Sequence, residues 1–196
     1  MKIKLLSLMI IGFLAYFPAP LRAEDTAAIN ATATTPWLSI GNSQIKVIYP
    51  PEINLKKLEA RLRGRDFPVS SAERDLFSNR KYHIENRIVA RLGAILSRVK
   101  DILGVNPDQM HIIIKVFRNH KELADAYQGI SGERSNSRAF YAQRTETIYT
   151  SIQDITDSVI AHEMDHAVVD HYFKFVPTEK IAELLARDVD SRLDGE

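Results

Sequence analysis

Between Ile84 and Leu103, apolar residues return every third or fourth position: Ile84, Ile88, Val89, Leu92, Ile95, Leu96, Val99, Ile102 and Leu103. That recurrence puts them on one face of an amphipathic helix, a scaffold element packed on a core. Gly104 and Pro107 end it, since glycine reverses the chain easily and proline cannot continue a helix. Elsewhere the pattern is that of strands. Ile45-Lys46-Val47-Ile48-Tyr49 alternates and is stopped by Pro50-Pro51, and His111 to Phe117 is a nearly continuous apolar run, as a buried strand would be. Arg138–Ala142 and Glu146–Ile152 predict two more strands, joined as a hairpin through Gln143-Arg144-Thr145.

Shorter helical signals fill the rest. Leu55, Leu58 and Leu62 suggest one helix, and Ser70 with Glu73 resembles a capping box before another. Asn119 with Glu122 caps a helix through Tyr127, followed by a polar loop from Gly129 to Ser137. A helix is expected from Asp154, its N-cap, to about Phe173. A last one starts at Pro177-Thr178 and runs to about Arg192, carrying Ile181, Leu184, Leu185 and Val189. Together these predict an α+β fold: a small mixed sheet with an antiparallel edge strand, packed on helices, with the 154–173 helix central.

That central helix carries the chemistry. Val159, Ile160, Ala161, Met164, Ala167, Val168 and Val169 make it apolar on most sides. His162, Glu163, His166 and Asp170 nevertheless share one stripe about 100° wide. Polar groups on a buried helix are unfavourable unless paired or bound to metal. His162-Glu163-Met164-Asp165-His166 is an HExxH sequence. Its histidines, one turn apart on one face, can reach one metal ion, with Glu163 beside them as a base.

Two histidines need a third ligand, and Asp170, His171, Glu179 and Glu183 are the candidates downstream. His171 is turned about 140° from the ligand face. The metzincin spacing, which needs Gly and His where Val169 and Tyr172 stand, does not fit. Asp170 is on the right face but a turn further along, and is expected to orient a histidine rather than bind metal. Glu183 is preferred. The turn at Pro177 lets the chain fold back, and Ile181, Ala182, Leu184 and Leu185 surround Glu183 with apolar residues.

Composition narrows the setting. Lys2 and Lys4, the apolar run Leu5–Phe17 and the stretch Pro18–Ala23 read as a secretory signal over residues 1–23. The apolar run is short for a membrane span, but would tether the chain to a membrane if it were not removed. The chain has no cysteine, which excludes disulfides, cysteine-zinc sites and thiol catalysis. Basic and acidic residues nearly balance, 26 against 25, and without Lys2, Lys4 and Arg22 the remainder is slightly acidic. Nothing in that balance suggests nucleic acid as a partner. Residues 24–44 are expected to form a flexible lead-in from which Trp37 docks on the domain, and residues 45–196 a single domain. The expected location is exported, periplasmic or secreted.

With HExxH, a Pro, and then Glu183 inside Ile-Ala-Glu-Leu-Leu-Ala, the chain resembles the gluzincin branch of the zinc metallopeptidases (clan MA type). The stretch His162–Asp170 is similar to the metal helix of thermolysin-like enzymes. Ala139-Phe140-Tyr141 and Ile148-Tyr149 resemble their edge-strand region. The chain departs in having Ile181 and Leu184 where Leu or Phe and Gly are usual, and Arg138 where an Asn binds substrate backbone. It also has Arg187 where an Asp supports a histidine, with Asp188 one residue further. The resemblance covers about residues 110–190.

It implies a zincin-like fold, a Zn2+ cofactor and hydrolysis of a peptide or protein substrate. His162, His166 and Glu183 would bind the metal, Glu163 would act as general base, and Asp170 and Asp188 would support the ligands. Arg138, Ala139 and Phe140 would lie along the substrate. The chain ends soon after Glu183, so the C-terminal lobe that usually supplies a transition-state donor is expected to be absent. Tyr141, Tyr149 and Tyr172 are the candidates to replace that donor, and a partner would complete the cleft. The Thr147–Ser151 strand is expected to pair with extended substrate at the sheet edge. The alternative function is a non-catalytic exported zinc-binding or interaction module of the same fold; a third is a hydrolase acting on something other than peptides.

Overall fold

Five strands form one mixed sheet: β1 (Leu38–Gly41), β2 (Ile45–Tyr49), β3 (Ile112–Phe117), β4 (Ala139–Ala142) and β5 (Thr147–Ser151), in the order β1-β2-β3-β5-β4. The computed structural model describes residues 36–62, 82–107, 109–173 and 179–194. The expected signal, the first part of the lead-in, the Ser70–Glu73 capping box and the Pro177-Thr178 helix start lie outside the described residues. The central strands β2, β3 and β5 run parallel, and each edge strand, β1 and β4, is antiparallel to its neighbour. The α+β class and the antiparallel edge strand therefore stand as expected.

Alternation sorts the sheet's side chains between two faces. On one face Ile45, Val47, Ile112, Ile114, Val116, Ile148 and Tyr141 join the main core. Helices α2 (Ile84–Leu103) and α4 (Asp157–Tyr172) pack there, with Ile88, Leu92, Ile95, Leu96 and Val99 of α2 in that core beside Ile160, Met164 and Val168 of α4. On the other face Phe117, Phe140 and Tyr149 pack with Leu123 and Tyr127 of α3 (His120–Ser131). A short helix, α1 (Leu55–Arg61), packs on α2, and α5 (Glu179–Asp194) packs on α4. Gly104 ends α2 in the left-handed conformation, its N–H donating to the Asp101 and Lys100 carbonyls.

Three boundaries differ from the sequence expectation. Residues 38–41, expected as lead-in, form β1. Asn42 turns the chain by accepting at Oδ1 from the backbone N–H groups of Gln44 and Ile45. A Cβ on Gly41 would sit 2.3 Å from the Ile45 carbonyl oxygen, so this approach needs glycine. Trp37 does dock, edge-on to Phe117 at 5.6 Å, with the Lys115 ammonium 4.5 Å above its ring. Helix α3 passes Gly129 and runs to Ser131, because Ser131 continues the Leu123–Tyr127 buried stripe and Gly132 supplies the left-handed cap. Helix α4 is capped by Thr156, whose Oγ1 accepts from Val159 N–H at 3.3 Å. Asp154, expected as that cap, instead accepts at Oδ2 from Ser151 Oγ at 2.6 Å and faces His120 Nδ1 at 2.9 Å.

Candidate metal centre

Helix α4 is buried almost all round: every residue from Val159 to Val169 is shielded, including His162, Glu163, Asp165 and His166. Its apolar residues drive it into the core, and the HExxH groups go with it. The two imidazoles converge. His162 Nε2 and His166 Nε2 are 3.3 Å apart, with the rings nearly perpendicular at 84°.

Glu183 completes the group from α5, its Oε1 lying 3.6 Å from His166 Nε2. One ligand atom from each of the three residues lies within 4.8 Å of the others. Tetrahedral zinc with bonds of about 2.0–2.1 Å separates neighbouring ligand atoms by about 3.3 Å, and the His162–His166 and His166–Glu183 separations are of that size. Burial, and secondarily the neighbouring His162, push the His166 pKa down to about 3. That ring is neutral at ordinary pH, the state a metal ligand needs.

The shelter around Glu183 differs from the one expected. Ile181 and Leu184 face solvent. The residues that seat the helix are Ala182, Ala186 and Val189, all buried, and the small alanines allow α5 to lie close to α4. The Glu179 side chain lies outside the described residues, and neither Asp170 nor His171 belongs to the converging group.

Asp170 does not orient either motif histidine. Its carboxylate accepts from the Tyr141 hydroxyl at 3.0 Å and from Gln143 Nε2. Burial pushes its pKa up against the lowering effect of those two hydrogen bonds. Nδ1 of His166 is buried without a hydrogen bond among the described residues. Asp188 is likewise not a support for a ligand. It is half exposed and pairs with Arg192 Nε at 2.9 Å, because five residues after Glu183 the helix has turned about 140°.

The three tyrosines take different places. Tyr141 reaches the α4 side of the sheet, but its hydroxyl is committed to Asp170. Burial, and then that carboxylate, raise its pKa far above the ordinary phenol range. Tyr149 lies on the opposite face, stacked between Phe140 at 4.8 Å and Phe117 at 6.3 Å, so it is no oxyanion donor for this cluster. Tyr172 is half exposed at the end of α4, edge-on to Phe173.

The strand expected to receive substrate is not an edge strand. β5 is bonded to β3 on one side and β4 on the other, so Thr147–Ser151 has no edge to offer. Among the described residues, the edge strand next to α4 is β4. Along it Ala139 is buried and Phe140 is packed into the second core, leaving the backbone as what these two could present to a ligand. Arg138 donates from Nη2 to the Asp154 carbonyl at 3.0 Å.

Two features escaped sequence reasoning. Gln143 falls in the expected hairpin turn, where nothing marks a side-chain partner on a distant helix. Arg91 gave a legible signal: it falls among Ile88, Leu92 and Ile95 on the apolar face of α2. It is buried there, donating from Nε to the Leu62 carbonyl at 2.9 Å and pairing through Nη2 with Asp157 at 2.5 Å. Comparison of the chain with protein-family models found no match, and comparisons with curated proteins and with solved structures found none either.

Proposed function

We propose that this chain is an exported zinc-dependent endopeptidase of gluzincin type, with Glu163 as general base. The observation that carries the proposal is the convergence of His162 Nε2, His166 Nε2 and a Glu183 oxygen within 4.8 Å on two packed helices. A donor set of two imidazoles and one carboxylate is that of catalytic rather than structural zinc, and leaves a fourth position for water. Zinc, when bound, supplies a Lewis acid and lowers the pKa of water toward neutrality.

The chain's own residues do the rest. Glu163 is buried on the same helix, between the two histidines in sequence. It takes a proton from the attacking water as that water adds to the peptide carbonyl, and then gives the proton to the leaving amine. The backbone of β4, the sheet edge beside α4, pairs with an extended substrate. Burial keeps His166 unprotonated and available as a ligand.

A second reading, a non-catalytic zinc-binding module of the same fold, is favoured by one observation. None of the three candidate tyrosines presents an uncommitted hydroxyl beside the cluster: Tyr141 serves Asp170, Tyr149 is on the other face and Tyr172 points outward. A carboxylate at Glu163 favours the enzyme, because a structural site has no use for a base next to the metal.

The test is digestion of a diverse peptide library by the zinc-loaded protein, with cleavage sites read by mass spectrometry and Glu163→Gln as control. Cleavage by the unaltered chain alone, with zinc content equal in both, is expected. Equal zinc with no cleavage by either would overturn the enzyme in favour of the binding module.

A further inference from the structure

We propose that Asp170 is a positioning residue: with Tyr141 and Gln143 it clamps edge strand β4 to the metal helix and so sets where an extended peptide lies relative to the His162–His166–Glu183 cluster. The substrate part of this inference rests on the peptidase proposal; the clamp itself does not.

The geometry is specific. Asp170 follows His166 by one helical turn on the same face, about 6 Å along the axis. One carboxylate oxygen accepts from the Tyr141 hydroxyl, a residue of β4, and the other from Gln143 Nε2, in the 3₁₀ turn that follows. Two donors from successive elements, held by one rigid carboxylate, fix the separation and the tilt of β4 against α4. Charge-assisted hydrogen bonds of this kind are among the stronger ones.

β4 has need of such a tie. It is four residues long and, among the described residues, bonded to the sheet along β5 alone, and short edge strands open most readily. A carboxylate in the last turn of a helix is also disfavoured by the helix dipole. Asp170 is nevertheless drawn partly out of water against its own desolvation. A carboxylate there to solubilise the helix end would point outward. Its commitment to Tyr141 moves that tyrosine from the role of transition-state donor to that of a strut.

The test uses Tyr141→Phe, which removes one oxygen and keeps the ring, with Asp170→Ala and Asp170→Asn in the zinc-loaded full chain. Amide hydrogen exchange over residues 139–146 should quicken about tenfold in Tyr141→Phe, as the loss of one such hydrogen bond allows. Zinc affinity, measured by competition with a chelator, should stay within about twofold, whereas loss of a partner that orients a metal ligand would reduce it about 10–100-fold. For a peptide that the unaltered chain cleaves, KM should rise about tenfold while kcat stays within about threefold. Asp170→Asn, which keeps an acceptor oxygen for Tyr141, should recover part of what Asp170→Ala loses.

Unchanged exchange in Tyr141→Phe and Asp170→Ala overturns the clamp. A fall in kcat with KM unmoved also overturns it, and returns Tyr141 to the chemistry. If the unaltered chain cleaves no peptide, the peptidase proposal falls, while the exchange and zinc measurements still decide whether the clamp exists.

Discussion

Arg91 Nη2 stands 2.5 Å from Asp157 Oδ2, with both side chains almost wholly buried. The pair joins the scaffold helix α2 to the first turn of α4, and Arg91 also holds the Leu62 carbonyl at the end of α1. Asp157 lies at the N-terminal end of its helix, where a negative charge is favoured by the helix dipole. The helix that carries His162 and His166 is therefore located at its start by a buried ion pair and along its length by apolar packing.

Removing one partner leaves the other charged and buried. Arg91→Met should destabilise the fold by about 3–5 kcal/mol, whereas the double change Arg91→Met with Asp157→Leu should return most of that loss. Denaturant titration of the three proteins checks this. A double variant as unstable as the single one would show that geometry, not the orphaned charge, is what matters there.

A second charged contact gives a pH dependence. His120 faces Asp154 Oδ2 from Nδ1 and Asn136 Oδ1 from Nε2, with Ser151 on the same Asp154 oxygen. The Asp154 hydrogen bond raises the His120 pKa, partly opposed by desolvation. A histidine with a raised folded pKa contributes stability that is fully present below its unfolded value of about 6.5. That contribution is lost as pH climbs through the folded value. Thermal midpoints should therefore fall on the alkaline side of pH 6.5 by more in the unaltered chain than in His120→Gln. Matching pH profiles in the two proteins would remove His120 from the account.

Much of this architecture was legible in the chain because burial and period agree. The nine apolar positions of α2 and the alternation of β2 each admit one secondary structure, and the HExxH spacing admits one ligand face. Glu183 stands out in the sequence because a carboxylate amid apolar residues needs a reason. The neighbours that seat its helix, Ala182 and Ala186, were less conspicuous than the exposed Ile181 and Leu184. What stayed hidden was contact between elements distant in sequence. Asp170 shares the histidine stripe, so the face was right, but Tyr141 and Gln143 reach it from a strand whose tilt no local pattern encodes. Likewise β5 reads as a strand with an available edge until its two neighbours are known. β1 was missed because four residues of ordinary polarity pair only through the turn made by Asn42 and Gly41.

That turn yields a direct prediction. With a Cβ, residue 41 would crowd the Ile45 carbonyl oxygen at 2.3 Å, so Gly41→Ala must displace β1 from β2. The expected loss is about 1–3 kcal/mol. Trp37, the chain's single tryptophan, would leave its contact with Phe117 and Lys115, and its fluorescence should shift to the red in the native state. An unshifted spectrum with full stability would mean the turn relaxes around the added methyl.

The metal assignment predicts that zinc stabilises this chain through Glu183 and not through Asp188. A ligand bound to the folded state alone adds about 2.7 kcal/mol at a hundred times its Kd, so zinc should raise the thermal midpoint and a chelator should reverse the gain. Glu183→Ala should abolish most of the zinc-dependent rise, since it removes one of three ligand atoms. Asp188→Ala should keep it, because Asp188 reaches Arg192 on the solvent side of α5. The size of the rise with and without zinc, measured for each variant against its own metal-free baseline, separates lost binding from lost packing. If Glu183→Ala retains the full rise, the third ligand is not Glu183, and the convergence of its carboxylate on His166 reflects helix packing alone.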